Sequence, residues 1–134
     1  MNKDDASAVA LQRPTDFFTP EEIAYLREVD SWRSSLAIAH CWAVIVGTWI
    51  VVCLFPNPIT ITLGVMIIGT RQLGLFVLTH DGAHGALYKN RRLNDWVCEW
   101  LLNRPFTDEK IDNYRKYHVV HHANTQQELS LIHI

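Results

Sequence analysis

Two long apolar stretches, separated by a break of three residues, restrict this chain more than any other feature. Residues 36–55 contain no Asp, Glu, Lys or Arg, and about 20 helical residues cross the ~30 Å hydrocarbon core of a bilayer. Residues 59–79 follow directly after Pro56, Asn57 and Pro58, a break too short for anything but a hairpin. The sequence therefore predicts an all-α membrane protein built on one transmembrane helical hairpin, with spans at about 36–55 and 59–79.

The charged residues exclude other classes of protein. Only 19% of the 134 residues are charged, and Lys and Arg flank the apolar spans instead of alternating with exposed aromatic residues, so we expect no nucleic-acid partner. Cys41 and Cys53 lie in the first span and Cys98 lies far from both. With no CxxC spacing, neither a disulfide framework nor a cysteine zinc site is expected.

The segment before the first span divides into a tail and a helix. Residues 1–18 are polar and lack periodicity, so we expect a mobile tail. Thr19 can cap a helix that begins at Pro20, with Glu22 as the capping-box acid. One apolar stripe then recurs at steps of four, three and four, namely Tyr25, Val29, Trp32 and Leu36. This pattern predicts an interfacial helix that runs directly into the first span.

Basic residues predict how the hairpin is oriented. The break at residues 56–58 carries no positive charge, whereas Arg27 and Arg33 precede the first span. Seven further basic residues follow the second span: Lys89, Arg91, Arg92, Arg104, Lys110, Arg115 and Lys116. The positive-inside rule therefore places both termini in the cytoplasm, together with the segments after the second span.

A second interfacial helix is predicted at residues 93–102. Its apolar face would comprise Leu93, Trp96, Val97, Trp100 and Leu101. Asn94, Asp95 and Glu99 would lie on other faces. Two tryptophans four residues apart are typical of a helix at the membrane surface.

Five of the seven histidines fall in two motifs. HDGAH contributes His80 and His84, and HVVHH contributes His118, His121 and His122. Helical residues four apart share a face, so each motif can direct two imidazoles to one metal ion. Adjacent His121 and His122 diverge by about 100°, which allows them to serve two different ions.

Metal binding is favoured over two other interpretations of these histidines. Neutral imidazole binds iron, zinc, copper and nickel. The first alternative to metal binding is that these are solvated surface histidines. A zinc protease would need HExxH and a third ligand, but Asp81 occupies the position of the glutamate. Asp81, Asn113 and Asn124 are candidates for hydrogen bonds that fix the imidazole tautomers.

Residues 71–97, followed by YRKYHVVHHANTQ at residues 114–126, closely resemble the membrane fatty acid desaturase family. The resemblance covers about residues 36–127 and implies an enzyme that uses O2 to introduce a double bond into a fatty acyl chain. It also implies two iron ions held by histidine motifs, with His80, His84, His118, His121 and His122 among the metal ligands. The implied partners are the lipid bilayer, a fatty acyl substrate, and a ferredoxin or cytochrome-type electron donor.

The chain departs from the family pattern after HVVHH, where another hairpin and a third histidine motif would follow. We therefore expect residues 19–128 to be the N-terminal part of a desaturase domain that neither holds both irons nor turns over alone. Residues 129–134 have no family counterpart, so we expect a non-native tail in which His133 is not a ligand.

Two other functions stay open. One is a hydroxylase or ketolase of the same scaffold acting on carotenoids, alkanes or sphingolipids. The other is a non-catalytic membrane hairpin.

Overall fold

The structure, a computed structural model, describes residues 14–123. This part of the chain is helical and contains no strand. A 3-10 turn at Pro14–Asp16 is followed by α1 (Pro20–Leu26), α2 (Ser31–Leu54), α3 (Pro58–Ala83), α4 (Arg91–Val97) and α5 (Ile111–Ala123), and a π-helix at Cys98–Asn103 continues α4. The all-α fold is therefore confirmed. Residues 1–13 of the expected mobile tail and residues 129–134 of the expected non-native tail lie outside the described residues.

α2 and α3 form the predicted hairpin. Asn57 caps α3 through a capping box, because its side chain accepts hydrogen bonds from the N–H groups of Ile59 and Thr60 while Thr60 accepts one from Asn57 N–H. Small residues let the two helices approach closely: a Cβ added to Gly64 would lie 2.7 Å from Val52 Cγ2. The break at residues 56–58 is thus a tight turn between two packed antiparallel helices.

Most apolar side chains of the hairpin point outward. Both helices are long and apolar enough to cross a membrane, and only 11% of the apolar stretch of each helix is buried. Core helices of soluble proteins are mostly buried, so this exposure is what a surrounding bilayer would cover. The helices extend beyond the predicted spans, since α2 begins at Ser31 and α3 continues to Ala83.

The predicted interfacial helix before the first span is interrupted. Thr19 and Glu22 form the expected capping box, but α1 ends at Leu26. Asp30 then caps α2 by accepting hydrogen bonds from the N–H groups of Trp32 and Arg33. The prediction of one continuous stripe from Tyr25 to Leu36 is therefore wrong, because α1 ends at Leu26 and the Asp30 carboxylate caps the start of a separate helix.

The second predicted interfacial helix has a different buried face. Trp96 and Trp100 are exposed as expected, whereas Asn94, which was expected on a face other than the apolar one, is fully buried. Its side chain donates to Gly82 O and accepts from Leu87 N–H. Asn94 is buried because its amide forms hydrogen bonds with backbone groups of α3 and of the turn that follows it.

Apolar packing joins the hairpin to the segments that follow it. The buried side chains come from α2, α3, the turn after α3, and α4 with its π-helix: Ile38, Cys41, Leu75, Leu87, Val97 and Leu102. Trp42 Nε1 donates to Leu101 O at 3.1 Å. A Cβ on Gly82 would lie only 2.5 Å from Cys98 Sγ. The end of α3 is therefore held against the π-helix, which fixes the segment that carries the first histidine motif.

Candidate metal centre

The first histidine motif lies at the C-terminal end of α3. His80 is in its last turn, and His84 caps the helix with right-handed helical φ and ψ of −76° and −8°. Residues four apart lie on one helix face, and the two ring centroids are 4.8 Å apart. The helix thus presents both imidazoles side by side, just beyond its apolar span.

The second histidine motif lies on α5, where His118 and His122 have ring centroids 4.4 Å apart. The start of α5 is fixed by Glu99 of the π-helix, whose carboxylate accepts a hydrogen bond from Ile111 N–H at 2.8 Å. This placement brings the His118 ring centroid to 4.6 Å from His80 and 4.8 Å from His84. The two motifs, separated by more than thirty residues in sequence, therefore meet.

Four imidazoles converge on one point. One ligand nitrogen from each of His80, His84, His118 and His122 lies within 4.8 Å of the other three. His118 Nε2 is 2.9 Å from His84 Nε2 and 3.0 Å from His122 Nε2. Two nitrogens that bind one ion at ~2.1 Å and at right angles are about 3 Å apart. The spacing of His84, His118 and His122 therefore fits one transition-metal ion, with His80 close by. The all-imidazole donor set suits iron as well as zinc.

His121 is not part of this four-histidine group. Its ring centroid lies 6.3 Å from that of His118 and 5.9 Å from that of His122. Its position one residue before His122 directs its side chain about 100° away around the helix. The structure thus brings together four of the five proposed ligands and leaves His121 as a donor in another direction.

The electrostatics of the group favour uncharged imidazoles. Burial lowers the pKa of His84 below its ordinary value of 6.5, and charge on His80 or His122 would lower it further, against an opposing effect of Asp81. Burial and the neighbouring imidazoles also lower the pKa of His118. Neutral imidazole is the form that binds a metal ion, so both shifts favour a ligand set that is ready for metal.

Of the three residues proposed to fix imidazole tautomers, Asp81 contacts a histidine. Its Oδ1 lies 3.3 Å from His80 Nδ1, which leaves Nε2 of that ring as the ligand atom. Asn113 is exposed, and its backbone N–H donates to Lys110 O at 3.0 Å. Asn124 and His133 lie outside the described residues.

An aromatic wall orients the ring of His118. Tyr114 stacks on it with centroids 5.4 Å apart and an interplanar angle of 11°. Phe76 of α3 in turn contacts Tyr114 edge-on, with centroids 6.2 Å apart. This wall covers one face of His118 and restricts its rotation.

Sequence reasoning missed the polar residues that hold the two motifs in place. Arg115 was counted only as a cytoplasmic charge, yet it donates hydrogen bonds to Ala83 O, Asp112 and Asp95. Asn94 and Asp95 were expected only to lie on faces other than the apolar one. The sequence did contain one indication of the role of Arg115. It precedes His118 by three residues and so lies on the same face of α5.

Cys98 is close to this framework but does not belong to the four-histidine group. Burial raises the pKa of its thiol to about 12. Its Sγ donates to Thr79 O at 3.5 Å. The described cysteines are unpaired, as the sequence predicts, and Cys98 serves packing against Gly82.

Comparison with known proteins agrees with this arrangement. The family model for fatty acid desaturase matches residues 56–131, which is more than half of the 134 residues and contains α3, both histidine motifs and the framework between them. No curated protein and no solved structure was found to match the chain. The chain belongs to the fatty acid desaturase family.

Proposed function

We propose that this chain serves a membrane di-iron oxidoreductase that uses O2 to introduce a double bond into a fatty acyl chain. Membership of the family supports a desaturase-like oxidoreductase. The observation that carries the proposal is the convergence of His80, His84, His118 and His122 at the end of an apolar helix. Metal-binding imidazoles at the end of a membrane span suit chemistry on an acyl chain that stays in the bilayer.

In this proposal the four imidazoles hold one iron, and His121 offers a ligand to the second. Asp81 holds His80 in the tautomer that leaves Nε2 for the metal, and Tyr114 restricts rotation of the His118 ring by stacking on it. When bound, iron supplies the activation of O2 that removal of hydrogen from an unactivated C–H bond requires. The chain's own residues set the positions of the ligands.

A groove beside α3 is the proposed binding site for the acyl substrate. It has a volume of about 610 Å³ and is lined by Phe76 and Thr79 of α3 and by Leu102 and Phe106 from the far side. Phe76 also contacts Tyr114, which stacks on His118. An apolar chain in this groove would lie within one or two helical turns of His80.

The proposed orientation puts the histidines on the cytoplasmic side, where a ferredoxin or cytochrome-type donor could deliver electrons. Arg91, Arg104 and Arg115 form ion pairs with carboxylates, so their charges are partly neutralised within the chain. Arg92 and Lys116 are exposed. These two residues are the better candidates for contact with an acidic donor.

Lipid analysis of membranes tests the proposal. The wild-type chain, and the longer gene product if the reading frame continues, are expressed beside the His84→Ala variant, with and without O2. An O2-dependent fatty acyl product with two hydrogens fewer, made by the longer gene product and absent from its His84→Ala variant, is the expected result. The 134-residue chain alone is expected to make none. A product with one added oxygen would indicate the hydroxylase. No product together with no bound iron would indicate a non-catalytic hairpin.

A further inference from the structure

Arg115 connects the two elements that carry the histidine motifs. Its Nε donates to Ala83 O of α3 at 2.9 Å, and its NH2 donates to Asp95 Oδ1 of α4 at 2.7 Å. We propose that Arg115 and Asp95 form a positioning clamp that sets the distance between the two motifs before metal binds. The inference rests on the proposed metal site, and a measurement on the metal-free chain tests it separately.

The clamp acts where α3 leaves backbone groups unpaired. The last four carbonyls of a helix have no partner within the helix, and in α3 two of the carbonyls near its end accept from side chains of other elements. Gly82 O accepts from Asn94 Nδ2, and Ala83 O accepts from Arg115 Nε, each at 2.9 Å. Ala83 directly precedes His84. A shift of Arg115 would therefore move the backbone that carries a ligand.

The same side chain fixes α5 close to its ligands. Arg115 lies three residues before His118 and seven before His122, on the same helix face. Its NH1 donates to Asp112 Oδ1 at 2.8 Å, and only 20% of its side chain is exposed. All three guanidinium nitrogens are thus used in three directions, and this planar fork is a geometry that a lysine ammonium does not provide.

The charges around Arg115 suit a position next to a metal ion. A lone guanidinium would repel a bound cation, but Asp95 and Asp112 both pair with it. Burial alone would raise the pKa of Asp95, but hydrogen bonds from Asn94 and Arg115 and the charges of Arg115 and Arg91 outweigh burial and lower it. Asp95 therefore stays ionised at neutral pH, and the clamp adds no net positive charge to the site.

The metal-dependent test uses Co²⁺, whose visible absorption bands report the number and geometry of its ligands. The purified wild-type chain is titrated beside Arg115→Lys, Arg115→Ala and Asp95→Asn. Lys116→Ala is the matched surface-charge control, and Asp30→Ala is a control that loses the N-terminal cap of α2. Loss of an outer-shell partner typically weakens metal binding by about 10–100-fold.

We expect that loss, with altered Co²⁺ bands, for all three clamp variants, including the charge-conserving Arg115→Lys. Lys116→Ala and Asp30→Ala should keep the wild-type bands. Wild-type affinity and bands in Arg115→Lys and Asp95→Asn would overturn the clamp. The same spectral change in Asp30→Ala would also overturn it, because general destabilisation would then explain the effect.

The metal-free test measures the distance between α3 and α5. Spin labels are attached at Leu73→Cys and Val119→Cys, positions that are 65% and 59% exposed, in a Cys53→Ser background. Arg115→Lys should broaden the distance distribution relative to Lys116→Ala. An unchanged distribution would contradict the clamp. If the wild type binds no Co²⁺ but the distribution still broadens, the proposed metal function fails and the clamp stands.

Discussion

At the scale of single residues, the candidate centre depends on which imidazoles share an ion. His118 has Nε2 within 3.0 Å of nitrogens of both His84 and His122. His121 has its ring in another direction. These positions predict unequal roles for two histidines that are only three residues apart.

Substitution of these two histidines tests their roles. His118→Ala should weaken Zn²⁺ binding by more than the ~10–100-fold expected for an outer-shell residue, because it removes a ligand. His121→Ala should leave the affinity of the first ion nearly unchanged. Competition titration against a chromogenic chelator measures both affinities. Equal losses in the two variants would contradict the four-histidine assignment.

Asp95 predicts a specific pH dependence of stability. Its pKa in the folded chain lies below the ordinary value of 3.8, so its contribution is fully present above that value and is lost as pH falls through the depressed folded pKa. Asp95→Asn should therefore lower the melting temperature by a constant amount from pH 7 to about pH 5, and the difference from wild type should vanish below the folded pKa. Thermal melts of both chains in detergent, from pH 7 to below the folded pKa of Asp95, measure it. A difference that disappears already near pH 6 would point to histidine titration instead.

Residue-level prediction depends on local patterns. Two imidazoles four residues apart share a helix face whatever surrounds them, so the sequence alone indicated that His80 lies beside His84 and His118 beside His122. Arg115, Asn94 and Asp95 act between elements, and no spacing within one helix indicates that Arg115 reaches Ala83 O. Their roles became visible only when α3, α4 and α5 were packed together.

At the scale of elements, α3 links the bilayer to the site. Its last turn carries His80 and is pressed against the π-helix, where Gly82 leaves no room for a methyl group beside Cys98 and Leu87. Gly69, on the same helix, has nothing within 4 Å of an added Cβ. Substitution of Gly69 is therefore a control for substitution of Gly82.

Gly82→Ala should destabilise the chain by about 1–3 kcal/mol through overpacking, and it should weaken metal binding because the turn bearing His80 must move. Gly69→Ala should be neutral or stabilise by roughly 0.5–1 kcal/mol, because alanine is the better helix former. Denaturant unfolding and Zn²⁺ titration measure the two effects. Similar behaviour of both variants would mean that the packing of α3 on the π-helix does not control the site.

Helix boundaries were harder to predict than helices. Thr19, Glu22 and Asn57 are N-terminal signals next to long helical patterns, and the helices begin at Pro20 and Pro58. Asp30 carries a similar signal, but it lies within an apolar stripe whose period continues on both sides. Its carboxylate nevertheless forms a cap, so a local hydrogen bond prevailed over a pattern of apolar residues.

At the scale of the whole molecule, the hairpin determines which side of the membrane carries the histidines. The turn at residues 56–58 and the four-histidine group lie at opposite ends of α3, and α3 has 26 residues, a length of about 39 Å. The two ends should therefore face opposite sides of a bilayer.

Cysteine labelling tests this orientation. In a Cys53→Ser background, Asn57→Cys should react with a membrane-impermeant maleimide from outside intact cells, and Lys89→Cys should react only after the membrane is opened. The reason is the excess of Lys and Arg after the second span. Labelling in the reverse order would place the histidines outside the cytoplasm and remove access to a cytoplasmic electron donor.

The fold class followed from the sequence because two apolar stretches of membrane length, joined by three residues, permit few arrangements. The packing of α4 and α5 against the end of α3 did not follow, because it depends on a buried core of scattered residues such as Leu75, Val97 and Leu102. That packing is what brings the two histidine motifs into one site.

Iron content is the most direct measurement of the central claim. The purified chain and a His84→Ala, His118→Ala double variant are dialysed anaerobically against the same Fe²⁺ concentration, and bound iron per chain is determined by mass spectrometry. We predict at least one iron per wild-type chain and none above background in the double variant. Equal iron in both chains, or none in the wild type, would contradict the four-histidine site.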